Sequence, residues 1–114
     1  MVKNFNKKLF SFSDGIYRTK EKLVYHIKVR GKMIRVEVEK NFGWNGVTGF
    51  FTNLKTLVPS LVHDWLIFDE KINGSKRFTR EEMDEIYIIM CKVNKVSKFV
   101  LTIFRIGLKI NRML

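Results

Sequence analysis

The stretch Leu23-Val24-Tyr25-His26-Ile27-Lys28-Val29-Arg30-Gly31-Lys32-Met33-Ile34-Arg35-Val36-Glu37-Val38-Glu39 decides the first half of the fold. Leu23, Tyr25, Ile27 and Val29 alternate with Val24, His26, Lys28 and Arg30. Ile34, Val36 and Val38 then alternate with Met33, Arg35, Glu37 and Glu39. A period of two is that of a strand with one buried face. Gly31 sits between the runs and, lacking a Cβ, supplies the positive φ of a tight turn. The stretch 23–39 therefore reads as a β-hairpin, with His26 on its solvated face. Upstream, Lys8-Leu9-Phe10-Ser11-Phe12 reads as a third strand ended by the turn Ser13-Asp14-Gly15, and residues 16–18 begin a fourth.

Downstream the pattern changes. Residues 41–53 interleave glycine and asparagine with aromatics, which reads as a structured loop. Pro59 suits the first turn of a helix, continued by Ser60 to Phe68 with Leu61, Val62, Trp65, Leu66 and Phe68 apolar. Asn73-Gly74-Ser75 ends it. Thr79-Arg80-Glu81-Glu82 is a capping box, in which the Thr79 hydroxyl and the Glu82 carboxylate each accept from the other residue's amide. Met83, Ile86, Tyr87, Met90 and Cys91 follow at helical spacing through Val93, and Asn94 interrupts. A last helix carries Val96, Phe99, Val100, Ile103, Phe104 and Leu108 on one face, expected to pack on the hairpin. The expected architecture is a single α+β domain over residues 1–114: a small antiparallel β unit, then three helices.

Composition bounds the function. At 114 residues with 46% hydrophobic and 29% charged residues, the chain suits one globular domain. Cys91 is the sole cysteine, which excludes an intrachain disulfide and any multi-cysteine metal site. No apolar run approaches the roughly 20 residues of a membrane span, and the basic start Met1 to Lys8 is not followed by the apolar stretch of a signal peptide. Lys and Arg number 22 against 11 Asp and Glu, a net charge of +11. The charge is uneven. Lys92, Lys95, Lys98, Arg105, Lys109 and Arg112 occupy 92–114 with no acidic residue, whereas 63–85 holds Asp64, Asp69, Glu70, Glu81, Glu82, Asp84 and Glu85.

Such a balance attracts an acidic protein surface, nucleic acid by nonspecific phosphate contact, or an anionic lipid surface. Lys95, Lys98, Arg105, Lys109 and Arg112 form the candidate binding face. No helix-turn-helix, zinc-finger or RNP-type motif accompanies it. Peripheral membrane contact is the less favoured use, because a domain this small needs the last helix's apolar face for its core.

One place joins two chemically active side chains inside an apolar helix: His63-Asp64. Neighbours on a helix are about 100° apart, so at most one points straight into the core. An imidazole beside a carboxylate is the material of a general base or of part of a metal site. Asp84, on the next helix, faces His63 if the two helices pack antiparallel, and then either orients the ring or shares a cation with Asp64. The alternative is structural, with histidine and carboxylate pinning two helices together. The acids around Asp84 sit at a helix N-terminus, where the dipole favours them without any function. Nucleophile elbow, phosphate-binding glycine loop, paired metal-ligand histidines and dinucleotide fingerprint are all missing. Cys91, on an apolar stripe, reads as a structural thiol.

Leu61-Val62-His63-Asp64-Trp65-Leu66, the later Arg80 and Asp84 in an Arg-x-x-x-Asp context, and Gly107 in an aromatic-containing helix resemble a phage- and prophage-associated family of unknown function. In that family, strands lead to a Gly-Phe-x-Thr-Asp-x-x-Ser-x-Pro loop and a helix with His-Asp-[Trp/Tyr]-Leu. The likeness spans about residues 34–108, the size of a whole small fold. The chain departs from it in the loop, with Trp44-Asn45 in place of Thr-Asp and Val47-Thr48-Gly49-Phe50 where Ser-x-Pro stands. The glycines Gly43, Gly46 and Gly49 before His63-Asp64 also give a looser likeness to secreted phospholipases A2, which, unlike this chain, are stapled by disulfides.

The resemblance implies a phage origin and no particular activity; the expected role is a small structural or interaction protein, a virion component of the tail or neck region, made in the host cytoplasm and partnered by other phage structural proteins. His63, Asp64 and Asp84 then form a buried helix-pinning network that calls for no cofactor; enzyme activity is left open, with a divalent cation as cofactor in the hydrolase alternative. The alternatives are a small metal-assisted hydrolase and a basic host-directed effector. In the hydrolase, His63 is the general base, Asp64 and Asp84 are the cation's carboxylates, and Asp84 also orients the ring. The effector would bind an acidic protein or nucleic acid.

Overall fold

The computed structural model describes residues 2, 5–46 and 53–113. The expected α+β order is present: antiparallel strands in the first part, three helices after them. The strands are β1 (Phe10–Ser13), β2 (Ile16–Thr19), β3 (Leu23–Val29), β4 (Lys32–Val38) and β5 (Gly43–Trp44); the helices are α1 (Leu54–Asn73), α2 (Arg80–Val93) and α3 (Lys98–Met113). The strands make two antiparallel sheets, one ordered β1-β2-β5 and the other the β3-β4 hairpin.

The hairpin registers Leu23 on Val38, Tyr25 on Val36 and Ile27 on Ile34, so one apolar face lines up across the pair. Its two-residue turn places Arg30 at φ 50° and Gly31 at φ 79°, the left-handed pair whose twist matches the strands. His26 is exposed, as the alternation requires. Thr19 ties the sheets together. Its hydroxyl donates to the Glu39 carbonyl (2.7 Å) and accepts from the Phe42 amide (3.0 Å), which holds the exit of β4 beside the end of β2.

Two readings of the sequence change here. The stretch expected to be all loop contains β5, which pairs Tyr17 with Trp44 and Arg18 with Gly43. Two residues are too few to show a period, and what fixes them is the Trp44 ring, packed on Phe10 and Tyr17 with its Nε1 donating to Ser60 Oγ (3.0 Å). Residues 47–52 of that stretch, which include Gly49 and the Val47-Thr48-Gly49-Phe50 segment of the family comparison, lie outside the described residues.

The second change is in α1, which starts before Pro59 and runs past Phe68 to Asn73, where Gly74 caps it in the left-handed conformation. Asn53 opens it, its side chain accepting from Lys55 N (2.8 Å) while Thr56 Oγ1 accepts from Asn53 N (3.0 Å). Pro59 is therefore interior, where it has no N–H for the carbonyl four residues back. That carbonyl belongs to Lys55, and Asn94 Nδ2 donates to it at 3.0 Å. The residue that ends α2 repairs the gap in α1.

The main core joins the inward faces of the strands to Leu57, Leu61, Val62, Trp65 and Leu66 of α1 and to Met83 and Ile86 of α2. A smaller cluster, Tyr87, Ile88, Cys91, Leu101 and Phe104, seats α3. The last helix thus packs chiefly on α2 and not on the hairpin, and Phe99, expected in the core, is 73% exposed. Amphipathicity shows that a helix has an apolar face, not which element covers it. None of the described helices is long and apolar enough to cross a membrane.

Candidate functional site

α1 and α2 pack side by side, which brings His63 and Asp84 together. His63 Nε2 lies 2.6 Å from Asp84 Oδ1, a length typical of a charge-assisted hydrogen bond. The Asp84 side chain is only 8% exposed, and its other oxygen, Oδ2, lies 3.0 Å from Arg112 Nε near the end of α3. The N–H of Arg112 is not aligned on that oxygen, so the contact is an ion pair, and among the described residues no donor is hydrogen-bonded to Oδ2. One buried carboxylate thus links an imidazole from α1 to a guanidinium from α3.

Asp64 takes the other side of the ring, its Oδ1 3.7 Å from His63 Nδ1. The two carboxylates face opposite nitrogens, with the imidazole between them. As the helical 100° step requires, only one of the neighbours points inward: the His63 side chain is 11% exposed and that of Asp64 36%. Among the described residues no group of three His, Cys, Asp or Glu is placed to hold a metal ion.

Burial works against a charged His63 and is the largest single influence, but hydrogen bonds and charge from Asp64 and Asp84 together outweigh it and raise its pKa. A raised pKa makes the ring a holder of a proton, which strengthens the pairing with Asp84. The Tyr87 ring packs 5.3 Å from the imidazole and 5.5 Å from the Phe104 ring. Burial lifts the Tyr87 hydroxyl well above the ordinary phenol value and the Cys91 thiol up to about 11, so neither ionises near neutrality. Cys91 is fully enclosed, in keeping with a structural thiol.

The network opens on a cleft of about 450 Å³, bounded by Ser60, His63 and Asp64 of α1, Tyr87 of α2, and Phe104, Gly107 and Asn111 of α3 among others. Ser60 is not a nucleophile in waiting, since its hydroxyl donates to the Leu57 carbonyl (2.7 Å) and accepts from Trp44.

The expected basic face divides. Lys98, Arg105 and Lys109 are exposed on α3 and appear in no ion pair among the described residues, whereas Arg112 turns inward to Asp84 and, at 3.8 Å, Glu81. Lys95 lies in the turn between α2 and α3, where its carbonyl accepts from Lys55 Nζ (3.4 Å). The sequence brings His63, Asp64 and Asp84 into consideration but not Arg112, which is 28 positions from Asp84 and reads as one more cation on a basic helix. A lone basic residue one helix beyond an unpaired acid is too common a pattern to single it out.

No family model matches the chain, and no curated protein and no solved structure is similar to it. The likeness carried by His63-Asp64-Trp65-Leu66 and by Arg80 and Asp84 therefore rests on those residues alone.

Proposed function

We propose that the chain is a small structural or interaction protein of a phage particle, built to pin its three helices together while presenting a basic surface to a partner. The observation that supports this is the buried Asp84 carboxylate, held between His63 of α1 and Arg112 of α3. A general base needs a ring nitrogen free to take a proton. Here both nitrogens face carboxylates that favour the protonated ring, an arrangement suited to pinning. The motif resemblance supports the phage origin, a place in the tail or neck is part of the proposal, and acidic surfaces of neighbouring particle proteins are the partners that a +11 chain would attract.

Thermal and denaturant unfolding test the pin. His63→Ala leaves Asp84 short of its hydrogen bond and is expected to lower stability by at least about 1 kcal/mol, while Asp64→Asn, at a half-exposed position, lowers it by less. Unchanged stability in His63→Ala would sink the pin. Mass spectrometry of purified particles tests the location, and absence of the chain from them would return it to the host cytoplasm.

A second reading is favoured by the cleft beside His63 and Asp64. There Asp84 orients the ring and His63 acts on a water. It requires a stable His63→Ala protein that loses a hydrolytic activity, and a melting temperature that a divalent cation raises in wild type but not in Asp64→Asn.

A further inference from the structure

α3 leaves an apolar stripe uncovered. Phe99, Ile106, Ile110 and Met113 are 73%, 56%, 53% and 77% exposed, and Ile103 between them is half-buried. Positions 99, 103, 106, 110 and 113 alternate steps of four and three, the seam spacing of a coiled coil, over about 21 Å of helix. At 3.6 residues per turn the five fall within an arc of about 80°, narrower than the face by which a helix packs into a core. Leu101 and Phe104 hold the opposite side of α3 in the small cluster, so the stripe is spare to the fold.

Charge selects the occupant. Lys109 borders the seam, with Lys98 and Arg105 a step further round on the same side, and no acidic residue occurs in 92–114. The other border is Val100 and Gly107. An added Cβ at Gly107 would meet nothing within 4 Å, so no contact inside the molecule calls for glycine there. In a helix interior glycine weakens the helix, but beside a seam it lets a second backbone come close.

We propose that α3 is one half of an intermolecular coiled coil, and that its other half is an amphipathic helix of a partner protein with Asp or Glu along the border that meets Lys109, Lys98 and Arg105. This rests on the interaction-protein reading and gives the partner's chemistry. A second copy of this chain fits less well, since an antiparallel pair would set Lys109 against the other copy's cations and a parallel pair would set it against Val100 and Gly107, and neither supplies an acid. A bilayer fits less well, because a helix lying in a lipid interface uses a broad apolar face, and this one is narrow and basic on one side only.

The test uses the full chain and two synthetic heptad-repeat peptides with Leu and Ile on the seam, one with Glu and one with Lys at the bordering positions, with binding read by fluorescence anisotropy. The Glu peptide is expected to bind at least about ten-fold tighter than the Lys peptide, a preference that shrinks with added salt. Ile106→Asp, at an exposed position that leaves the circular dichroism spectrum unchanged, abolishes the binding, and Lys109→Glu reduces the preference. Equal binding of both peptides, or none, overturns the proposal. So does light scattering that shows a wild-type dimer dissolved by Ile106→Asp, or co-sedimentation with phosphatidylglycerol vesicles in place of peptide binding. A failed peptide test alongside a destabilised His63→Ala removes the partner assigned here and leaves the helix pin standing, so the two failures are distinguishable.

Discussion

α1 and α3 are both long amphipathic helices, and they use their apolar residues in opposite ways. α1 buries Leu57, Leu61, Val62, Trp65 and Leu66 with Thr56, Pro59 and Ser60, and is capped by Asn53 at one end and Gly74 at the other. α3 buries only Leu101 and Phe104, although its apolar and polar residues are the more sharply segregated. Segregation alone therefore does not measure commitment to a core. α1 is held by packing; α3 is held by one small cluster and by the Arg112 ion pair.

Paired truncations break the comparison most directly. Leu61→Ala removes a fully buried side chain from α1 and is expected to cost about 2–5 kcal/mol. Phe99→Ala, a larger deletion on α3, is expected to stay within about 0.5 kcal/mol. Urea unfolding of the two variants measures both, and a comparable loss in Phe99→Ala would mean that α3's stripe is covered after all.

Asn94→Ala sharpens it at a smaller scale. The Lys55 carbonyl left open by Pro59 loses its donor, and denaturation should show a loss of about 1 kcal/mol. Restoring a backbone N–H with Pro59→Ala in the same chain is expected to recover part of it.

The gentlest probe is pH. The pKa of His63 is raised in the folded protein by Asp64 and Asp84, so its contribution is complete below the unfolded value of about 6.5 and is lost as pH rises through the folded value. Arg112 and Glu81 complete the charged surroundings of the pair. The melting temperature of wild type should fall across this interval more steeply than that of His63→Gln, which keeps a donor for Asp84 but does not titrate. Parallel curves would remove the imidazolium from the network.

The sequence showed most plainly what short-range patterns encode. The 23–39 hairpin is a two-residue alternation around Gly31, and the start of α2 is a capping box, both complete within a few residues. Of the site, His63, Asp64 and Asp84 stood out because ionisable residues on apolar stripes are costly unless paired. What stayed hidden depends on contacts distant in the chain. Pro59 resembled a helix start because the donor that makes it tolerable is Asn94, 39 positions from the Lys55 carbonyl it serves. β5 depends on Trp44 finding Ser60, and Arg112 joins the site only because α3 lies on α2.

The anchoring of Asn94 and Lys95 to Lys55 also sets how the molecule comes apart. The turn that leads into α3 is tied to α1 at two points, so the elbow stays in place when the helix beyond it lets go. With few buried side chains to release, α3 is the segment whose amides should exchange first with deuterium, as one unit, while α1, α2 and the strands remain closed. Each such opening would expose Asp84 to water, while the tied elbow keeps the loosened segment beside α1, so that α3 re-forms against α2 without a search for its place.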